Sequence, residues 1–330
     1  MYRWFIRLLL IAFCVLALPR TCPAPLIYRP GEGWSYEPYG TSKWRRTRAK
    51  DQLEVAQAAF DKKDYGTALK AARRVVRTWE HSDYAPRAQY LVARCYEAKG
   101  NDEKAFKEYQ RVVERYPKID IYDDILKRQF AIANRYLAGQ WFKLWGYIPF
   151  FPSMDKTADM FDQMIRNGPY SQLAPQAQMD IGKAREKQKD YPLAVKAYER
   201  AADRYHDMKD VAVDALYKQG LALQKQAQTA EYDQSIAGQA IATFTDFISL
   251  YPNDPRIAAA EKIISSLKTE QARGSYQLAR FYEHNKQWKG ARIYYNDALT
   301  KDPNFKFAAD AKQRLEVLNQ KLAKEPPAKQ

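Results

Sequence analysis

The chain has little of what staples or stiffens a small fold. Only three cysteines occur, Cys14, Cys22 and Cys95, and the first two fall in the amino-terminal stretch. With two of the three in that stretch, a disulfide framework is not expected, and no Cys-x-x-Cys pair or Cys/His zinc spacing is present. Three histidines, His81, His206 and His284, stand far apart and are expected at or near helix ends. Glycine is scarce, with 13 in 330 residues, and none forms a phosphate-cradling loop. GxSxG, HExxH and a Ser/His/Asp set in a workable context are also missing, so the motifs of common enzymes are not there. No metal or cofactor site is expected. β-branched runs are short, which argues against sheet. One apolar run stands out, Leu8 to Leu18, and its eleven uncharged residues are too short to span a bilayer comfortably.

What is abundant favours helix. Ala, Lys, Gln, Glu, Leu and Tyr recur throughout, and 46% of the chain is hydrophobic against 28% charged, enough to bury a core. The balance of 54 Lys+Arg over 39 Asp+Glu gives a formal charge of +15. Cations and acids are interleaved, as in Glu97-Ala98-Lys99 and Glu199-Arg200. That reads as a solvated helical surface rather than a concentrated basic stripe, so no nucleic-acid partner is expected. Paired acids such as Asp123-Asp124 suit the first turn of a helix, where its dipole favours negative charge.

Residues 1–24 read as an export signal: Arg3 and Arg7 precede the apolar run, with cleavage expected near Ala24. An acylated cysteine would follow a small residue, but Cys14 follows Phe13 and Cys22 follows Thr21, so neither is a convincing lipidation site. A retained anchor is the alternative. Residues 25–46, rich in Pro, Gly and aromatics, read as an extended, irregular arm. Trp34, Tyr36, Tyr39 and Trp44 would pin it to the first helices, or the arm would dock onto a partner.

The rest of the chain repeats. From Arg87, the residues Ala93, Tyr96, Ala105, Tyr109, Val112 and Pro117 have the spacing of a tetratricopeptide unit. A small residue sits where two helices cross, and a second follows twelve residues on. Gly100-Asn101 makes the turn between them, and Pro ends the second helix. Further copies are marked by Ala56 and Ala68, Ala133 and Ala158, Gly182 and Ala194, Gly220 and Ala240, and Ala279 and Ala291. The expected fold is an all-α tetratricopeptide-type helical-hairpin solenoid, a right-handed superhelix of about six repeats. The expected halves are 47–206 and 207–318, with a disordered tail at 319–330. An insert at 140–152 separates the third pair, Ala227 to Gln234 lengthens a helix in the fifth, and an added helix from Arg256 to about Gln271 joins the last unit.

Two features are candidates for function. The first helix of each repeat lines the concave side, and its inward strip contains Gln57 in the first copy, Arg87, Tyr90 and Arg94 in the second, and Lys127, Phe130 and Asn134 in the third. Cations and amides beside aromatics suit an extended peptide or its terminal carboxylate, and equally a solvated basic helix face. The insert concentrates aromatics, Trp141, Trp145 and Phe150 among them. It would pack onto the helices, meet a partner, or touch a membrane.

Particular segments resemble a known family. Ala56-Gln57-Ala58-Ala59-Phe60-Asp61-Lys62-Lys63-Asp64-Tyr65, then Ser82-Asp83-Tyr84-Ala85-Pro86, then Ala105 to Pro117, and Gln277-Leu278-Ala279-Arg280-Phe281-Tyr282 are similar to BamD. BamD is the tetratricopeptide subunit of the outer-membrane β-barrel assembly machinery. The resemblance covers about Thr47 to Leu318. It implies a non-enzymatic periplasmic scaffold at the inner face of the outer membrane. Its partners would be the barrel-forming subunit, unfolded outer-membrane protein substrates and accessory lipoproteins, with substrate at the N-terminal repeats and the barrel subunit at the C-terminal ones. The alternative is a periplasmic adaptor in envelope or cell-division coordination. The weak lipidation site, the sixth repeat and the long insert depart from the family pattern.

Overall fold

In the computed structural model, residues 26–29, 33–36, 44–144, 148–229 and 234–323 are described; the expected signal peptide at 1–24 lies outside them. The same backbone device closes one helix hairpin after another. Lys63, Gly100, Gly139, Lys189 and Lys286 all take positive φ, between 58° and 113°, and each follows the first helix of a pair. At three of these turns the next residue caps the second helix. Asp64, Asn101 and Asp190 accept from the backbone N–H of Thr67, Lys104 and Leu193, satisfying a donor left over at each helix start.

Contacts divide the chain into two compact units, one ending at Asp120 and one starting at Ile121. The first contains an antiparallel hairpin, β1 (Leu26–Arg29) with β2 (Gly33–Tyr36), registered Leu26 to Tyr36. Part of the arm expected to be irregular is therefore paired strand. Tyr39 lies outside the described residues. Four helices follow: α1 (Ala49–Asp61), α2 (Tyr65–Thr78), α3 (Ala85–Ala98) and α4 (Asp102–Arg115). Trp44 packs on the α1–α3 core around Ala56, Ala68, Ala72 and Leu91. Buried Gln52 holds the chain there, donating to the Trp44 carbonyl at 2.9 Å and accepting from the Arg46 N–H at 2.7 Å.

The second unit begins with α5 (Tyr122–Leu137), β3 (Phe142–Leu144), β4 (Ile148–Phe151) and α6 (Met154–Asn167). It continues through α7 (Ala174–Lys187), α8 (Tyr191–Arg204), α9 (Lys209–Thr229), α10 (Gln234–Leu250), α11 (Ile257–His284), α12 (Trp288–Lys301) and α13 (Ala308–Ala323). Thirteen helices among the described residues make six hairpins and a closing helix, the tetratricopeptide arrangement. Four details differ from the sequence reading. The insert contains an antiparallel strand pair that its sequence did not announce. The added helix is continuous with the first helix of the last repeat, giving the 28-residue α11. The expected half boundary at 206 falls between α8 and α9, which pack against each other. Helix α13 runs to Ala323, into the stretch expected to be a tail.

Each crossing is as close as the small residues allow. Ala93, Ala105, Ala279 and Ala291 are fully buried. At Gly182 the ring of Tyr198 lies where a Cβ would stand, and at Gly220 Phe244 does the same. Tyr109, Tyr198 and Tyr295 are wholly buried. Each hydroxyl donates to a glutamate twelve residues earlier: Tyr109 to Glu97 at 2.7 Å, Tyr198 to Glu186 at 2.7 Å, Tyr295 to Glu283 at 2.6 Å. The bond ties the second helix to the end of the first and satisfies a polar group that burial would otherwise penalise.

Burial, reinforced by the neighbouring glutamate, pushes the Tyr198 and Tyr295 hydroxyls well above the ordinary tyrosine range. The folded state thus holds these protons more tightly than the unfolded chain. That contribution is complete below about pH 10 and is lost as pH rises further. Urea midpoints should therefore fall steeply above that pH. Tyr198→Phe should flatten the fall while costing about 1 kcal/mol at neutral pH. Equal alkaline slopes in the two chains would contradict this assignment.

Candidate functional site

Tyr90 and Arg94 are one turn apart on α3, hence on one face. The Arg94 guanidinium lies 5.3 Å from the ring centre of Phe60, at the end of α1, and 5.8 Å from that of Tyr90. Its Nη1 donates to the Tyr90 hydroxyl at 3.2 Å. Tyr90 in turn packs 5.8 Å from the buried Tyr109 ring, so the aromatic wall is anchored in the core. Arg94 is half-buried and, among the described residues, pairs with no carboxylate. A guanidinium set against two rings keeps N–H groups that can donate to an anion.

The other two residues of this strip are differently placed. Arg87 pairs with Asp120 at 2.8 Å, with the two side chains 64% and 62% exposed. Such a pair contributes about 0–1 kcal/mol. Gln57 donates to Asp61, one turn on, at 2.8 Å.

Lys127, Phe130 and Asn134 belong to the second unit. Lys127 is exposed, Phe130 meets Phe161 edge-on at 5.8 Å, and the Asn134 amide donates to the Phe130 carbonyl of its own helix at 3.2 Å. The sequence candidates are thus split between the two units, with Tyr90 and Arg94 the pair brought into a defined arrangement.

The last repeat repeats that arrangement. Tyr276 and Arg280 stand to Ala279 as Tyr90 and Arg94 stand to Ala93, and Arg280 Nη1 donates to the Tyr276 hydroxyl at 3.4 Å. Tyr276 packs 5.7 Å from Tyr295. Here a carboxylate is supplied internally: the Tyr276 hydroxyl donates to Asp310 of α13 at 2.5 Å. Sequence reading missed Tyr276 and Arg280, which the repeat frame alone would have found. It also missed Phe60, which comes from the preceding repeat and is visible only in three dimensions.

In the insert, Phe142 is buried and stacks on Tyr136, with ring centres 4.1 Å apart. Trp141 is 52% exposed, as is Ile148, and Phe151 is exposed across from Phe142. Lys156 Nζ sits 5.0 Å from the Phe142 ring centre and 5.3 Å from that of Phe151. Trp145 lies outside the described residues, and Phe150 is a β4 residue whose side chain is not described.

A cleft of about 300 Å³ opens beside Lys209, Leu250 and Tyr251. Its guanidinium, Arg256, is already forked onto Asp254 and Asp214 and stacked 4.7 Å from the Tyr217 ring centre. That is a structural corner rather than a receptor. Among the described residues there is no group of three or more potential metal ligands and no helix long and apolar enough to cross a membrane.

Residues 152–301 match a family model described as an outer membrane lipoprotein, and residues 53–118 match a tetratricopeptide-repeat model. No curated protein matches the chain. Similar solved structures include the C-terminal part of a tetratricopeptide-repeat protein from Cytophaga hutchinsonii, 16% identical with a TM-score of 0.35 over 81% of this chain and 88% of that one. A tetratricopeptide-repeat protein from Parabacteroides merdae is 13% identical, with a TM-score of 0.34 over 82% of this chain and 98% of that one. MamA from Desulfovibrio magneticus RS-1 is 12% identical, with a TM-score of 0.31 over 63% of this chain and 97% of that one.

Proposed function

We propose that this BamD-like tetratricopeptide-repeat protein is a non-enzymatic scaffold in outer-membrane β-barrel assembly, holding unfolded substrate by its terminal carboxylate. The observation that carries the reading is Arg94, set against the Phe60 and Tyr90 rings and, among the described residues, in no ion pair with a carboxylate. The match to an outer membrane lipoprotein family over residues 152–301 supports the setting. The working site is the periplasm, at the inner face of the outer membrane.

The mechanism breaks no bond. An extended peptide lies along the first helices of the N-terminal repeats, and its carboxylate accepts a forked hydrogen bond from Arg94. The flanking rings restrict the guanidinium before binding, so little side-chain freedom is lost on capture. Apolar side chains near the peptide terminus cover Phe60. The C-terminal repeats hold the barrel-forming subunit and accessory lipoproteins. Exposed Leu278 and Phe281, on one face of α11, suit such a contact.

The test is a fluorescence titration of the full chain with a labelled peptide from a barrel C-terminus, as the acid and as the amide. The acid should bind about tenfold or more tightly than the amide, the worth of a charge-assisted hydrogen bond. Equal affinities would remove carboxylate recognition from the account.

A further inference from the structure

We propose that the β3–β4 hairpin is a membrane-contact element that seats on an anionic phospholipid surface. The hairpin belongs to the second unit and would act independently of peptide capture in the first.

Two observations on the hairpin combine. The first is its apolar exposure. Phe142 is folded inward against Tyr136, yet Trp141, Ile148 and Phe151 face solvent within a few residues of it. A large indole left about half in water is a cost that a lipid interface removes, because its ring is at home at headgroup depth.

The second is charge. No acid occurs from Ile125 to Met154, while Lys127, Arg128, Arg135 and Lys143 do. The first acid after the hairpin, Asp155, is already engaged by Arg185 and by Gln188. Lys156 then places its ammonium over the Phe142 and Phe151 rings, at the edge of the exposed aromatic surface. An exposed apolar surface with Lys156 at its edge, in a stretch whose sequence from Ile125 to Met154 has cations and no acid, complements a negatively charged bilayer. An acidic protein patch would match the charge, but a flat lipid surface also accepts the exposed indole without a shaped pocket. Trp141 and Ile148 would enter the interface, and Lys156 would meet lipid phosphate at the rim. The hairpin would thus hold the second unit against the membrane whether or not an acyl chain anchors the protein.

The experiment uses the full chain and phosphatidylcholine vesicles containing about one third phosphatidylglycerol, with brominated acyl chains as a depth-sensitive quencher. Emission of the wild type should be quenched measurably more than that of Trp141→Phe. Because the readout is the difference at one tryptophan, the apolar Leu8–Leu18 stretch contributes equally to both chains. Lys156→Glu should lower that Trp141-specific quenching at a given lipid concentration, with about tenfold more lipid needed to restore it. Equal quenching of wild type and Trp141→Phe, with unchanged far-ultraviolet dichroism, overturns the proposal. So does a dimer that dissociates in Ile148→Ser without any lipid quenching in the parent, which would give the surface to a second copy of the chain.

Discussion

Gly182→Ala should destabilise the α7–α8 hairpin by roughly 3 kcal/mol, the upper end of ordinary overpacking penalties. The new Cβ would lie 2.3, 2.5 and 2.7 Å from three ring carbons of Tyr198. That ring is fully buried and its hydroxyl is held by Glu186, so it has nowhere to retreat without breaking the bond. Gly220→Ala meets Phe244 at 2.8 Å and should follow the same direction with a smaller effect. Gly238→Ala is the control: its Cβ finds nothing nearer than 3.8 Å. An alanine in a helix interior is then favoured by about 0.5–1 kcal/mol. Thermal dichroism reads all three. The first transition should drop by roughly 5–10 °C in Gly182→Ala, because a repeat array melts where a unit is weakest. Melting at the wild-type temperature would show that the crossing is looser than the packing implies.

Arg94→Glu should weaken the barrel peptide about 10- to 100-fold by removing a charge-assisted fork and adding repulsion. Arg94→Lys should fall between, since an ammonium keeps the charge but loses the planar fork. Arg87→Glu alone should change affinity about twofold or less, because its exposed pair with Asp120 contributes little. Helicity should be unchanged in all three, as none of these residues lies in the core. If Arg87→Glu weakened the peptide as much as Arg94→Glu, the effect would be one of general surface charge, and the aromatic clamp would have no special part.

The repeats were legible because their crossings demand small residues at a fixed interval, and sequence displays side-chain size directly. Ala93 with Ala105, and Ala279 with Ala291, marked the frame before any coordinates. The turn at Gly100 was legible for a similar reason, since glycine advertises positive φ. Lys63, Lys189 and Lys286 adopt the same conformation with nothing in their chemistry to announce it. The β3–β4 hairpin was hidden by its brevity and by Pro149, which reads as loop. The continuity of α11 was obscured because repeat counting seeks a break between units, and Gly274 alone does not make one. At the site, the sequence offered Arg87 and Arg94 as equals. What separates them is the acid at Asp120 and the ring of Phe60, both brought in by folding.

The central claim is that the chain serves β-barrel assembly by holding proteins, and one measurement meets it most directly. Tagged protein, expressed at near-native level, is recovered from gently solubilised cell envelopes and its companions are identified by mass spectrometry. The account expects a large β-barrel subunit at near-stoichiometric amount, retained after washing in moderate salt. Recovery of the intact chain without any such subunit would contradict it.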